Sequence, residues 1–309
     1  MKPFAFFKFL FLVGATTIFL SSCGEDVAEP AILTLNEGPT FVTSDSDVAL
    51  GGSFTISLTG VKGSSPMKTI TVEEDGTKLD LNRITFLSTG GANPLLLLND
   101  NVDRFDYSVT IKAHETFGTK TYDFKVADED GLVATKSLKI NVVGAAVTMR
   151  EDLLLNQSGP AGQGALDLDT GKGSGADPNS DPNAVNAEIR DEGVVNVLTD
   201  GTWKQQISGV NGSEVKYIKK GQSGISETFS FDNIKYKEEI SPLWTNGVAF
   251  TEKSTDGLRN VSAKVALGDI FIVKNGEKYY LLTVKNIKIT PEMTGEDRNK
   301  DSYTFDVKF

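Results

Sequence analysis

The chain has 309 residues, 39% of them hydrophobic and 24% charged. That is enough for two ordinary domains with real cores, and too apolar for a disordered polyelectrolyte. The 31 basic and 42 acidic residues leave a net charge of −11, which argues against nucleic acid as a partner. One Cys excludes a disulfide framework and a Cys-based zinc site. One His excludes any site needing two imidazoles and makes a His-based triad depend on that residue alone.

Residues 1–22 have the layout of a secretory signal peptide. Lys2 and Lys8 supply its charge, an apolar run extends from Phe9 to Leu20, and Ser21 and Ser22 lead to Cys23. The run is too short and too polar at its flanks for a transmembrane helix. Leu20-Ser21-Ser22-Cys23 resembles the bacterial lipobox, in which Leu and two small residues precede Cys. The resemblance implies cleavage before Cys23 and a diacylglycerol on its thiol, with palmitate among the acyl chains. The membrane is then a partner through Cys23, since two or three acyl chains give stable anchoring. Loss of Lys2 and Lys8 leaves 29 basic against 42 acidic residues, a balance of −13. Gly24-Glu25-Asp26 is similar to the export signals of Bacteroidetes surface lipoproteins. That implies the outer membrane and outward display, with periplasmic retention left open. Residues 23–30 form the tether.

The remainder reads as strands and tight turns, an all-β chain. Seven Asn-Gly or Asp-Gly pairs begin at Asp75, Asp130, Asp200, Asn211, Asn246, Asp256 and Asn275, and such pairs suit two-residue hairpin turns. A first domain is expected over 31–143. Its strands are Ala31–Leu35, Ser53–Leu58, Lys68–Glu73, Lys78–Phe86, Phe105–Lys112, Thr119–Val126 and Leu132–Val143. Seven short strands in this length match an immunoglobulin-like sandwich. Tyr122-Asp-Phe-Lys-Val126-Ala-Asp-Glu-Asp-Gly131, followed by Leu138-Lys-Ile140-Asn-Val142, resembles the last two strands of PKD-like domains, which implies the same sandwich.

A second β-rich domain, sandwich or barrel, is expected over 144–309. Leu153–Leu155 is a candidate strand. Residues 158–183 hold six glycines between Gly159 and Gly175 and read as a long Gly/Asp-rich loop. Asn183–Asp191 is a candidate short helix. Strands resume at Gly193–Val197, Ile270–Val273 and Lys278–Val284. In the last strand Tyr303, Phe305, Val307 and Phe309 share one face. Ala165–Gly171, Gly268–Lys274, Lys278–Val284 and Tyr303–Lys308 together look like the C-terminal domains of Bacteroidetes surface lipoproteins, including the haem-scavenging HmuY-like class. The resemblance implies a β-rich scaffold. The Trp-Asp-Ile-Ala-Phe segment of that class has no counterpart beyond Ala187-Glu-Ile-Arg190, and one His cannot form a two-His haem site.

No catalytic motif marks the chain: it has no Gly-x-Ser-x-Gly elbow, P-loop, Gly-x-Gly-x-x-Gly or His-Glu-x-x-His. His114, between two strands, is expected at an exposed turn. Asp128, Glu129 and Asp130 sit at one turn. Asp167, Asp169, Asp177 and Asp181 are the calcium candidates, because calcium takes six to eight oxygen ligands. The spacing departs from the EF-type loop at Gly171 and Lys172, and no other cofactor is expected. Aromatic ligand-binding candidates are Trp203, Trp244 and Tyr280; alternation puts Tyr279 and Tyr280 on opposite faces, one toward the core.

The composite expectation is a non-catalytic cell-envelope lipoprotein. An immunoglobulin-like spacer presents a β-rich domain that recognises a glycan or a protein. An HmuY-like small-ligand carrier working with an outer-membrane transporter requires a deep apolar cavity. A hydrolase requires two carboxylates facing each other across a cleft.

Overall fold

The structure, a computed structural model, describes residues 27–87, 92–156, 163–196, 200–290 and 301–309. The signal peptide, Cys23 and the start of the tether lie outside the described residues. Among the described residues no helix is long and apolar enough to cross a membrane. The chain divides into two compact units. One runs to Asn141 without Thr116–Gly118, and the other comprises Val142–Phe309 with Thr116–Gly118.

The first unit is two antiparallel sheets. One has the order Ile32–Leu35, Ser53–Val61, Arg104–Lys112, Ile84–Phe86. The other has the order Ser46–Ala49, Val133–Val143, Gly118–Asp128, Met67–Glu74, Thr77–Lys78, with Leu95–Leu96 also on Met67–Glu74. This is the pairing of an immunoglobulin-like sandwich. Alternation drives it: Phe54, Ile56 and Leu58, with Tyr122, Phe124 and Val126, point into one shared core. At the Asp75-Gly76 turn both residues have positive φ (48° and 77°), as a hairpin of right-handed twist requires.

Three first-unit expectations are corrected. Lys78–Phe86 is not one strand. The chain leaves one sheet at Lys78, turns through the 3-10 segment Leu81–Arg83 and enters the other sheet at Ile84. Buried Leu79 and Ile84 anchor the two ends. Ser46–Ala49 and Leu95–Leu96 are strands too short to leave a periodic signal. His114 is not an exposed turn residue. It is 4% exposed, with Nδ1 3.3 Å from the Tyr122 hydroxyl. That hydroxyl also binds Glu74, whose carboxylate is gripped by Arg83.

The second unit is a second sandwich with an extra layer. One sheet has the order Met149–Asn156, Ser302–Lys308, Lys278–Lys288, Ile270–Asn275, Glu214–Tyr217, Val248–Ala249. The facing sheet has the order Lys172–Ser174, Ala165–Asp167, Ile189–Asp191, Ile207–Gly209, Asn260–Val261, Glu252–Lys253. Val194–Asn196 pairs with Asp200–Trp203 as a separate ribbon. Phe271, Tyr280, Leu282, Tyr303 and Phe305 from the first sheet meet Leu166, Ile189 and Ile207 from the second in one core. The other face of the first sheet is covered as well. Ile218, Ile225, Phe231, Ile234, Ile240 and Leu243, from the connection after Tyr217, pack on Ile270, Ile272 and Leu281. Burial on both faces explains why Ile270–Val273 and Tyr280–Leu282 are continuous apolar runs and not alternating ones.

The Gly/Asp-rich stretch is corrected too. Residues 157–162 lie outside the described residues, but Ala165–Asp167 and Lys172–Ser174 form a hairpin inside the expected loop. Asn183–Asp191 is not a helix. It is the end of a 3-10 turn, Pro182–Asn186, followed by the strand Ile189–Asp191. The turn stops because the Ala187–Ile189 stretch is buried in the sheet. Two of the dipeptides expected as turns also act otherwise. Asp200-Gly201 opens a strand, and Gly247 closes the helical turn Leu243–Asn246 with φ −69°.

Candidate functional site

An open cleft of about 730 Å³ lies in the second unit. Four local structures converge on it. The hairpin turn after Asp167 brings Asp169, held by Gly171 N–H donating to Asp167 O at 2.8 Å and Thr170 N–H donating to Asp167 Oδ1 at 3.0 Å. The turn before Lys278 brings Glu277, Lys278 and Tyr279. The 3-10 segment Lys237–Glu239 brings Lys237 and Glu238, with Ile240 and Ser241 following. The end of the last strand brings Phe309, whose N–H and carbonyl both pair with Thr148.

The apolar surface of the cleft is Tyr279, Phe309 and Ile240, and its charged lining residues are Asp169, Lys237, Glu238, Glu277 and Lys278. Lys278 forms an ion pair with Asp169, whose other oxygen accepts from the Tyr280 hydroxyl at 2.7 Å. Burial works to raise the Asp169 carboxyl, but the Lys278 and Tyr280 hydrogen bonds outweigh it and hold it below the usual range. Asp169 is therefore an ionised acceptor, unsuited to giving a proton. Burial, then the bond to Asp169, pushes the Tyr280 hydroxyl far up. Both Glu238 oxygens accept from Ala145 N–H at 3.1 Å. Beside the cleft, Trp244 and Tyr279 lie 6.3 Å apart, with Lys274 Nζ 5.9 Å and 5.7 Å from their ring centres. Such cation–π contacts fix ring orientation at modest energy.

The expected site residues are only partly brought together. Of the aromatic candidates, Trp203 and Tyr280 are core residues, 6% and 0% exposed. Trp203 is turned under by the Val194/Trp203 pairing and packs on Tyr303 at 4.5 Å. Tyr280 lies behind Asp169, while its neighbour Tyr279 takes the opposite face of the strand, half-buried against the Ile218–Leu281 cluster at the wall of the cleft. Trp244 is half-buried beside the cleft, one ring face taken by Lys216 Nζ at 4.1 Å.

The four calcium candidates do not converge. Asp167 accepts from its own turn and Asp169 faces Lys278. Asp177 accepts from Asn179 N–H at 2.9 Å, and Asp181 from Gly175 and Asn183 N–H at 2.8 and 2.9 Å. Asp167, Asp177 and Asp181 thus close local turns, while Asp169 is taken up by Lys278 and Tyr280. Among the described residues no group of three or more His, Cys, Asp or Glu is placed to hold a metal. At the other acidic turn Asp128 points inward, accepting from Leu132 N–H at 2.8 Å, while Glu129 and Asp130 are exposed. Sequence reasoning missed Phe309, Ile240, Lys237 and Lys278 as cleft residues. Asp169 and Tyr280, named as calcium and aromatic candidates, do line it, though as an ion-paired carboxylate and the buried hydroxyl behind it.

No protein-family model matches the chain, and no curated protein matches it. Among solved structures it is similar to a family 123 glycoside hydrolase from Clostridium perfringens (12% identity, 37% of this chain, 27% of that chain, TM-score 0.25). It is also similar to the SrpA adhesin from Streptococcus sanguinis (16%, 43% and 70%, 0.26). A third is the N-terminal Ig1-2 module of the Drosophila receptor protein tyrosine phosphatase DLAR (9%, 81% and 94%, 0.26). The chain spans only about a quarter of the hydrolase's length. Superpositions this loose carry no argument about function, and the sandwich assignment rests on the chain's own strand order.

Proposed function

We propose that the protein is a non-catalytic, lipid-anchored component of the bacterial cell envelope whose second unit binds a glycan. The observation that carries this reading is the open cleft in which Tyr279 and Phe309 sit among charged side chains. Aromatic faces stack on the C–H faces of sugar rings, and flanking Asp, Glu and Lys groups bond their hydroxyls. The immunoglobulin-like unit serves as the spacer. Anchoring rests on the lipobox at Cys23 and outward display on Gly24-Glu25-Asp26.

The two competing roles have less support. The space between the sheets of the second unit is filled by Tyr280, Tyr303, Phe271 and Phe305, each fully buried. That leaves no room there for the interior ligand of an HmuY-like carrier. A glycosidase needs two carboxylates facing each other across a cleft, and the cleft carboxylate Asp169 is instead taken up by Lys278 and the Tyr280 hydroxyl.

The test is affinity electrophoresis of the whole chain through gels containing xylan, pectin, dextran or mucin. Retardation by one polymer, lost in Tyr279→Ala and Phe309→Ala, is the expected result. Equal mobility in every gel, or retardation unaffected by both substitutions, refutes the glycan reading and directs attention to a protein partner.

A further inference from the structure

The tether reaches the first unit at a defined place. Glu29 N–H donates to Ser64 Oγ at 2.8 Å, and Ser64 N–H returns a bond to the Glu29 carbonyl at 3.0 Å. Gly63 allows this approach, since a Cβ there would come within 2.1 Å of the Glu29 carbonyl oxygen. Ser64 belongs to the connection between Ser53–Val61 and Met67–Glu74. The turn after Gly118–Asp128 adjoins that connection, because Glu129 N–H donates to the Pro66 carbonyl at 3.0 Å. Cys23 precedes Glu29 by six residues. An extended chain covers at most about 3.6 Å per residue, so Glu29 stands within about 22 Å of Cys23. The headgroup layer, roughly 5–8 Å on each side of the hydrocarbon, takes up part of that reach. A lipid on Cys23 therefore keeps this end of the first unit close to the bilayer.

The same end carries an uncovered apolar patch. Asp128 N–H donates to the Leu132 carbonyl at 3.0 Å, which sets Val133 opposite Ala127. Ala127 pairs with Thr69, and Thr69 with Leu96. Val133, Ala127, Thr69 and Leu96 thus form one row across four neighbouring strands. The row lies on the sheet face turned away from the core, since Val126, Ile70, Leu95 and Leu97 beside it are buried. Val133 and Leu96 are 50% and 55% exposed, and Leu98, farther toward the tether, is 58% exposed. Away from the tether the same face becomes charged, with Lys125 paired to Glu73 and Ser137 bonded to Asp123. An exposed apolar patch rimmed by polar residues marks a contact surface.

We infer that this end of the immunoglobulin-like unit rests on the lipid surface, with Leu96, Leu98 and Val133 in the headgroup and upper acyl region. The inference rests on lipid attachment at Cys23, as proposed above. Lys62 and Arg104 at this end are paired with Asp103 and Asp106, and the exposed Glu129 and Asp130 outweigh Lys68. The contact is therefore apolar, and a neutral lipid suffices for it. Three side chains do not hold a protein on a membrane by themselves. The tether makes their contact intramolecular, which multiplies its effect without any new interaction.

The experiment uses the full lipidated chain in phosphatidylcholine vesicles. With the Cys23 thiol acylated, Val133→Cys, Leu98→Cys or Glu115→Cys each supplies the only free thiol, which carries a fluorophore. Glu115 is exposed and follows Lys112, at the far end of the strand Arg104–Lys112, which spans about 27 Å. Flotation of the vesicles reports anchoring, and quenching by nitroxide-labelled phosphatidylcholine reports contact. The protein should float, and the labels at Val133 and Leu98 should lose most of their emission while the label at Glu115 keeps it. Leu96→Asp should restore most of the emission at Val133. Floating protein whose three labels are quenched alike or not at all, or in which Leu96→Asp changes nothing, overturns the inference and leaves the anchor standing. Protein that does not float overturns both.

Discussion

The Trp203 indole Nε1 donates to Asp191 Oδ2 at 2.8 Å, and both residues are buried. Asp191 Oδ1 accepts from Gly193 N–H at 2.7 Å. The indole thus satisfies a buried carboxylate while its ring packs on Tyr303. Trp203→Phe keeps an aromatic ring but removes the donor. The variant should lose about 1–3 kcal/mol of unfolding free energy in urea titrations, because a buried acceptor loses a partner. An unchanged midpoint would contradict a structural role for this bond.

The two tryptophans should separate in solution. Trp203 is 6% exposed, whereas Trp244 is half-buried beside Tyr279. Acrylamide should quench Trp244 emission in the Trp203→Phe variant far more than Trp203 emission in the Trp244→Phe variant. Equal quenching would mean that Trp203 is not core.

Glu188 and Glu192 act on stability with opposite signs. Burial raises the Glu188 carboxyl, outweighing its bonds from Leu168 N–H and Asn275. A raised folded pKa means that the folded state holds the proton more tightly. Its contribution therefore diminishes as pH climbs from the unfolded value, about 4.3, through the folded one. For Glu192 burial also works upward, but the Arg259 and Ser208 bonds win and the pKa is lowered. Its stabilisation is present above the unfolded value and is lost as pH falls through the lowered one. Glu188→Gln, which keeps an oxygen for Leu168 N–H, should melt a few degrees higher than wild type at pH 7. The two curves should converge near pH 4. A lower midpoint for Glu188→Gln at pH 7 would contradict the sign.

Gly60 and Phe105 are paired on neighbouring strands, and a Cβ on Gly60 would come within 2.2 Å of the Phe105 ring. Phe105 is 1% exposed and has little freedom to move. Gly60→Ala should cost about 1–3 kcal/mol, the usual price of overpacking, and Phe105→Leu in the same chain should restore part of it. A Gly60→Ala midpoint equal to wild type would refute the close approach.

The fold was legible where one physical rule dominated. Alternation located Ser53–Leu58, Thr119–Val126 and the inward face of Tyr303, Phe305 and Val307. The rules failed where tertiary contacts decide. Lys78–Phe86 looks like one strand because apolar and polar residues alternate at both of its ends, yet the ends belong to different sheets. Ala165–Ser174 looks like a loop from its glycines and aspartates, yet Leu166 and Leu168 are fully buried and draw it into a hairpin. The aromatic cleft was partly legible, since alternation puts Tyr279 and Tyr280 on opposite faces and only Tyr280 is fully buried. Nothing local shows that Phe309, Lys237 and Asp169 meet there, because they come from three distant segments.

The most direct measurement is binding of fluorescent glycans to intact bacterial cells displaying the wild-type, Cys23→Ala or Tyr279→Ala chain, probed with labelled xylan, pectin, dextran and mucin. The account predicts that one probe labels wild-type cells alone, because the lipid holds the protein outward and the cleft holds the sugar. Tyr279→Ala cells labelled as brightly as wild type, or no labelling of wild-type cells whose protein is present at the surface, would contradict it.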